Sequence, residues 1–197
     1  MKILFVDCCI SQRGKASRTE KLCRTFLRSV RAEHVDLKNL ELKPFTAEML
    51  DRRDGLFRSG AFGDEIYALA RQFRDADGIV VGAPFWDLSF PAQLRIYIEH
   101  ISANGVTYYY DAQGPHGNCK ARWLLYLTSG GDFARDGSLG TEYWKQLCAM
   151  YGIPEFRSVF AGGLDAMPEQ ADAFMKEACG KAGALAAELL NTADFPD

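Results

Sequence analysis

The chain has 197 residues, of which 48% are hydrophobic and 25% are charged, and its formal net charge is -3. A chain of this length buries one sizeable core and leaves little for a second, so we expect a single domain over residues 1–197. The mild negative charge gives no reason to expect nucleic acid or anionic lipid as a partner, and the apolar runs are far shorter than a membrane span. With no signal-peptide pattern at the amino terminus, the sequence predicts a cytoplasmic protein.

Six cysteines are spread along the chain without a C-x-x-C pair and without a Cys/His cluster at zinc-ligand spacing. Structural zinc sites and iron–sulfur clusters have such spacings, so we expect neither and predict no metal. Reduced and mostly buried thiols are the default in a cytoplasmic chain. Only the vicinal pair, Cys8 and Cys9, stands at an unusual place, directly after the first predicted strand.

The first third of the chain alternates between strand and helix patterns. An apolar run over 3–6 that stops at Asp7 predicts a buried parallel strand, and helical spacing of apolar residues over 22–30 predicts the helix that follows it. A second strand is predicted at 34–37. Residues 39–57 show no sustained period, so we expect a long irregular connection there.

The alternation continues through the rest of the chain. Apolar residues at i, i+3, i+4 and i+7 predict a helix over 66–73, and the apolar run that stops at Gly82 predicts the third strand. Pro91 suits a first helical position, and the helix that it opens should end near Gly105. We expect a fourth strand at 123–128, a loop at 129–140, a helix through 143–151, a fifth strand at 157–161 and a last helix from 168.

Strands that read as apolar runs and alternate with helices imply a parallel sheet covered on both faces. The sequence therefore predicts a three-layer α/β doubly wound fold, with five parallel strands in the order 2-1-3-4-5. In that order the topological switch point lies between the first and third strands, and ligands bind there, outside the carboxyl ends of the strands. We expect the loops at 7–19, 84–90 and 129–137 to converge at this point.

The first of these loops offers either a phosphate site or an ordinary helix start. Residues 17–19 lead into a helix, where unpaired backbone N–H groups and the helix dipole favour an anion. Ser17-x-x-Glu20 is also a capping box, which satisfies the same donors internally. The three cations at positions 13, 15 and 18 favour a phosphate, because they would otherwise repel one another. The spacing alone leaves both interpretations open.

Two other chemistries fit the first loop poorly. It has neither the dinucleotide fingerprint nor the Walker pattern, which argues against a nucleoside triphosphate. A cysteine, five residues and an arginine would make the nucleophile loop of small tyrosine phosphatases, but Cys8 has four residues before Arg13, and Cys9 has five before Lys15. The two thiols either have pKa values lowered by these cations or are small packing residues, and the packing interpretation is favoured.

The second and third loops suit a flat ligand with a polar edge. The second loop places Phe85 and Trp86 beside Asp87, where a solvated loop normally carries small polar residues. Its backbone N–H groups would meet the edge of a heterocycle, although an apolar loop is also typical of a core or a dimer surface. In the third loop, Gly130 and Gly131 permit a close approach of backbone to a ring, as they would in any tight turn.

Three segments resemble, in order and spacing, those of one enzyme family: GAPFWDLSFPAQLRIYIEHI, NGVTYYYDAQGPHG and LTSGGDFARDG. The family is that of FMN-dependent NADH:quinone and azo-compound reductases of the flavodoxin-like fold, and the SRT at 17–19 is similar to its phosphate loop. The resemblance implies an oxidoreductase that passes hydride from NADH or NADPH through FMN to a small acceptor, such as a quinone, an azo or a nitro compound. A flavodoxin-type electron-transfer module that oxidises no nicotinamide is the alternative.

The resemblance also implies roles for particular residues. The implied flavin-binding residues are Cys9, Ser17, Arg18, Thr19, Pro84, Phe85, Trp86, Asp87, Leu88, Ser129, Gly130, Gly131 and Asp132. The first four would lie at the phosphate, the next five along the isoalloxazine edge and the last four against its pyrimidine side. No side chain is assigned to catalysis, because the chemistry belongs to the flavin, but Tyr108, Tyr109 and His116 are candidates for an acceptor pocket.

Three positions depart from the pattern of that family. Asp87 stands where an asparagine is usual, Asp132 where a glycine-type residue is common, and Ala134 where a histidine is frequent. A carboxylate near the ring would disfavour an anionic reduced flavin and lower its potential. The aromatic stretches at 85–90 and 108–110 suit the interface of a symmetric homodimer.

Overall fold

The computed structural model describes residues 1–11, 16–132 and 138–191. Its strands are β1 (Ile3–Asp7), β2 (Ala32–Asp36), β3 (Gly78–Gly82), β4 (Tyr108–Asp111), β5 (Gly114–Gly117), β6 (Trp123–Ser129) and β7 (Glu155–Ala161). Its helices are α1 (Arg18–Phe26), α2 (Ala47–Arg58), α3 (Ala68–Arg74), α4 (Ala92–Ile101), α5 (Leu139–Tyr151) and α6 (Ala171–Asn191). Five parallel strands form one sheet in the order β2-β1-β3-β6-β7. The predicted doubly wound fold and strand order are confirmed.

Helices cover both faces of the sheet, so its central strands are buried along their whole length. Every residue of β3 and β6 is buried. Along β3 the side chains alternate between two cores: Ile79 and Val81 pack with α3, α4 and α5, whereas Val80 packs with α1 and α6. Each such buried side chain contributes about 1.5–3 kcal/mol, so these two strands hold the three layers together.

The predicted irregular connection at 39–57 is wrong, because it contains most of α2. The helix begins where the Thr46 side chain accepts a hydrogen bond from the backbone N–H of Met49 at 3.2 Å. No residue of α2 is buried, and only Leu56 packs, half-buried, against a core cluster, so the apolar signal along the helix is weak. Local capping and exposed polar contacts, such as the pair between Arg52 and Asp64 at 2.8 Å, accompany it instead.

Several predicted boundaries shift by a few residues. The first helix ends at Phe26 and is followed by a 3-10 turn, and β2 begins and ends earlier than 34–37. α4 ends at Ile101, ahead of the expected Gly105, and α5 already begins at Leu139, within the loop expected up to position 140. β7 extends two residues further back than predicted, to Glu155. Within the described residues, no helix has the length and apolarity needed to cross a membrane.

The β4-β5 hairpin, which the sequence analysis does not predict, packs at the amino edge of the sheet. Its last residue, Gly117, lies against the backbone of Gly152 at the end of α5. The chain then continues with Arg122, whose N–H donates to the Asp77 carbonyl, just before the first residues of β3 and β6. The hairpin therefore lies at the end of the sheet opposite to the predicted ligand-binding edge.

Replacing Gly117 with alanine should destabilise the fold by about 2–3 kcal/mol, because the added Cβ would overlap the backbone of Tyr151 and Gly152. Backbone atoms cannot turn away as a flexible side chain would. The matched control is Gly180→Ala on the exposed side of α6, where nothing lies within 4 Å of an added Cβ and stability should rise by up to about 1 kcal/mol. Urea unfolding of both variants measures the two effects; equal stabilities would contradict the packing of the hairpin on α5.

Candidate functional site

A cavity of about 210 Å³ opens where the chain leaves the carboxyl ends of β1, β3 and β6. Its lining consists of Cys9, Ser11, Ser17, Arg18, Thr19, Pro84, Phe85, Trp86, Ser129, Gly130, Gly131 and Asp165. The three predicted loops therefore converge. A fourth loop, after β7, contributes Asp165, which the sequence analysis misses. The signal for it was available, because the carboxyl ends of all the parallel strands meet at this edge of the sheet.

The start of α1 forms one end of the cavity. Ser17 is the N-cap, and its hydroxyl accepts a hydrogen bond from the backbone N–H of Glu20 at 3.3 Å. The Glu20 carboxylate pairs with Arg24. The capping interpretation is therefore confirmed for the Ser17 hydroxyl, whereas the Glu20 side chain is engaged elsewhere. The first backbone N–H groups of a helix have no acceptor within the helix, which keeps this end suited to an anion.

Two side-chain contacts tie the start of α1 to other walls of the cavity. The hydroxyls of Thr19 and Ser129 share a hydrogen bond of 2.7 Å, and both residues are buried. The Arg18 guanidinium Nη1 lies 2.7 Å from Asp165 Oδ1, and both of these side chains are open to solvent. The loop after β1, the end of β6 and the loop after β7 are thus joined around one cavity.

The second loop forms a tight two-residue turn at the rim. Trp86 and Ser89 exchange backbone hydrogen bonds of 3.3 and 2.8 Å, and Asp87 and Leu88 between them have φ angles of 49° and 66°. Positive φ at both central residues is the pattern of a type I′ turn. Asp87 and Leu88 are exposed at the tip of this turn and are not part of the cavity lining, in contrast to Trp86.

The third loop is held close to its neighbours because it has no side chain at two positions. A Cβ added to Gly130 would lie 2.7 Å from the Phe85 ring, and one added to Gly131 would overlap the Asp165 carboxylate. Phe85 is itself positioned by a hydrogen bond from its N–H to the Ser129 carbonyl, at 2.9 Å. The cavity therefore presents backbone on one side and the aromatic loop on the other.

The two vicinal cysteines are packing residues with raised pKa values, so the suggestion that nearby cations lower those values is wrong. Burial raises the pKa of the Cys8 thiol to about 12. A hydrogen bond with the Cys23 thiol, together with burial, raises the pKa of Cys9. Cys8 is buried and Cys9 half-buried, and neutral thiols are poor nucleophiles, which argues against phosphoester hydrolysis at this loop.

Some predicted site residues lie elsewhere. Tyr108, Tyr109 and His116 are on the β4-β5 hairpin, at the amino edge of the sheet, and none of them lines the cavity of its own chain. His116 instead contacts Asp111 at 2.8 Å and stacks on Tyr109. Asp132 is not part of the lining either, and its carbonyl accepts a hydrogen bond from the N–H of Gly163. Three further residues named from the sequence lie outside the described ranges: Arg13, Lys15 and Ala134.

Comparisons with known proteins place this geometry in a family. A family model for the flavodoxin-like fold matches residues 1–185. The FMN-dependent NADH:quinone oxidoreductase of Trichlorobacter lovleyi is 31% identical over 94% of this chain and 98% of its own length, and the protein of that name from Clostridium perfringens is 28% identical over 94% and 98%. The chain belongs to the flavodoxin-like family, and within it to the FMN-dependent NADH:quinone oxidoreductases.

Solved structures show the same fold. An azoreductase from Bacillus anthracis str. Sterne superposes with a TM-score of 0.83 at 23% sequence identity, covering 95% of this chain and 99% of that chain. An FMN-dependent NADH-azoreductase from Bacillus anthracis str. Ames Ancestor, solved in complex with FMN, superposes with a TM-score of 0.76 at 19% identity, covering 94% and 99%. At these identities the likeness is one of fold.

The raised pKa of Cys8 predicts very slow alkylation. At pH 8 only about one Cys8 thiol in 10,000 is ionised, compared with roughly a quarter of an unperturbed cysteine, and only the thiolate reacts. Iodoacetamide should therefore label Cys8 in the folded protein more than about a hundredfold more slowly than it labels Cys8 in the urea-unfolded chain. Mass spectrometry of timed digests measures both rates; equal rates would mean that Cys8 is neither buried nor protonated.

Proposed function

We propose that this protein is an FMN-dependent NAD(P)H oxidoreductase that reduces a small acceptor of the quinone type. The observation that supports it is the cavity at the switch point, where a helix start, two glycines and an aromatic turn meet in a chain of this family. The names of the relatives indicate NADH as the hydride donor and a quinone as the acceptor. Azo and nitro compounds are further acceptors that an open flavin site would reduce.

The chemistry of the lining fits FMN from end to end. Ser17, Arg18 and Thr19 offer hydroxyls, a guanidinium and helix N–H groups for the phosphate, with Cys9 beside them. Pro84, Phe85 and Trp86 offer apolar surface for one side of the ring system. Ser129, Gly130 and Gly131 offer backbone for its polar edge. The two glycines let the Phe85 ring and the Asp165 carboxylate lie directly against this loop.

When bound, FMN accepts hydride from a nicotinamide and passes the electrons on to an acceptor. The residues of this chain bind and orient the cofactor, and no side chain of the lining is assigned as a proton donor. Asp87 and Leu88 would lie at the outer rim, and Asp132 behind the glycines. The influence of the Asp87 charge on the flavin potential stays a prediction.

The cavity is smaller than the sites that usually enclose a whole ligand of drug size. Sites that bury most of a drug-sized ligand measure about 300–1,000 Å³, whereas this cavity measures about 210 Å³. Part of the ring system would therefore project from it, open to the nicotinamide and then to the acceptor. Trp86 and Leu88, which are 44% and 65% exposed, provide apolar surface at that opening.

We infer that a second copy of the chain covers this opening in a homodimer. Tyr109 and Tyr110 project from the hairpin with 39% and 63% of their surface exposed, and neither of them lines the cavity of its own chain. In a symmetric pair the hairpin of one copy would line the acceptor pocket of the other.

All six cysteines are free, which suits a single-domain protein of the reducing cytoplasm.

The visible spectrum of the purified full-length protein tests the activity. We expect a yellow protein, or one that turns yellow with added FMN, whose flavin absorbance bleaches when NADH or NADPH is added without oxygen and returns when a quinone follows. Ser17→Ala with Thr19→Val should lose FMN while retaining the native circular dichroism spectrum. A protein that binds FMN and is not bleached by either nicotinamide would be an electron carrier, and one that cannot bind FMN would contradict the proposal.

Sedimentation velocity tests the dimer. The protein should sediment at about twice its chain mass of 22.0 kDa, and Tyr110→Lys should shift it toward the monomer, because a charge is costly in the centre of an interface. The matched control is Leu40→Lys, which places a charge on an exposed apolar residue beyond the edge strand β2. A wild-type protein that sediments as a monomer would remove the dimer.

A further inference from the structure

We propose that Asp165 is a latch on the phosphate end of the cavity: it holds Arg18 in an ion pair and must release it before the phosphate of the cofactor can bind. The inference deepens the proposed function, because it rests on FMN as the ligand and concerns how its phosphate is recognised. The two residues belong to different loops, one after β7 and one at the start of α1. Their side chains meet at 2.7 Å in the wall of the cavity.

The backbone determines where the Asp165 carboxylate lies. The N–H groups of Asp165 and Ala166 both donate to the Gly131 carbonyl, at 3.0 and 2.9 Å, and the N–H of Leu164 donates to the Gly130 carbonyl at 3.3 Å. The carboxylate itself covers Gly131 so closely that an added Cβ would overlap it. The backbone of Asp165 is thus fixed beside Gly131, within reach of Arg18.

The carboxylate occupies the electrostatic position that suits a phosphate. Arg18 is the first residue of α1, so its guanidinium stands beside the positive end of a helix dipole. The carboxylate of Asp165 pairs with this guanidinium. Among the described residues that line the cavity, Asp165 is the acidic one. Before the cofactor binds, the protein thus neutralises its own anion site.

The pair is weak enough to open. The side chains of Arg18 and Asp165 are 37% and 71% exposed, and ion pairs in contact with water are worth little. A phosphate carries nearly two negative charges and presents oxygens that match the fork of a guanidinium. It would therefore displace the single carboxylate from Arg18, at a cost in affinity. A flavin without a phosphate would leave the pair closed.

The experiment compares FMN with riboflavin on the full-length apoprotein. Asp165→Asn keeps the size of the side chain and removes its charge. We expect this variant to bind FMN about five- to tenfold more tightly, which is the size of one exposed charge acting on a dianion at high dielectric, and to bind riboflavin as the wild type does. Flavin fluorescence quenching measures both dissociation constants. The gain for FMN should shrink at high salt, where the charges are screened.

A second substitution separates a latch from general repulsion. In an Arg18→Gln background Asp165 has no guanidinium to hold. The increase in FMN affinity caused by Asp165→Asn should therefore be at least twofold smaller in that background than in the presence of Arg18. Glu188→Gln is the matched control, because it also removes the carboxylate from an exposed ion pair with an arginine, here Arg157. This pair lies near the far end of α6, so the substitution should leave the affinities for FMN and for riboflavin unchanged.

Three outcomes would overturn the latch. A gain of equal size with and without Arg18 would mean that Asp165 only repels the phosphate. If Asp165→Asn weakened the binding of FMN and of riboflavin equally, the carboxylate would contact the ring system or the ribityl chain that both ligands share. An unchanged affinity for FMN would mean that the ion pair plays no part in binding. A wild-type protein that binds neither flavin would instead defeat the proposed function, and the latch with it.

Discussion

Hydrogen bonds that continue the parallel sheet beyond its strand ends are the constraint on which the site depends. After β3, the N–H of Phe85 donates to the Ser129 carbonyl at 2.9 Å, and after β6 the N–H of Gly130 donates to the Ala161 carbonyl at the same distance. After β1, the N–H of Cys8 donates to the last carbonyl of β3 at 2.7 Å. The loops therefore leave the sheet in register, and residues more than a hundred positions apart meet around one cavity.

One part of the site works against stability. Leu88 has a left-handed backbone at φ 66° and exposes 65% of its surface, although an asparagine or a glycine would relieve the strain. A non-glycine residue in this region costs about 1–3 kcal/mol and persists only where its surroundings hold it. Here the Leu88 carbonyl accepts a hydrogen bond from Leu139, and Trp86 and Ser89 close the turn. Such strain beside a cavity is typical of a functional loop.

The sequence predicts the five strands and the helices between them because these rest on local signals, and the strand order and the three converging loops follow from the doubly wound class that this alternation indicates. The apolar run through Val80 and Val81 marks a strand buried on both faces, and the alternation of strands with helices permits few topologies. Ser17 and Thr19 lie at the start of α1, which the N-cap pattern in the sequence predicts. Most of the cavity lining follows from these signals, since a switch point lies where the strand order reverses.

Other features required the tertiary structure. The helix α2 has no buried residue, so its apolar signal is weak. The position of the hairpin with Tyr109 and His116, away from the cavity, follows from its packing on α5. The raised pKa of Cys8 and the pairing of Arg18 with Asp165 depend on burial and on contacts between distant loops. The sequence by itself thus determined the fold class and the edge of the sheet at which a ligand binds, because apolar runs and helical periods are local. Only the tertiary structure decided which side chains face one another there, because charge pairing and burial arise between residues far apart in the chain.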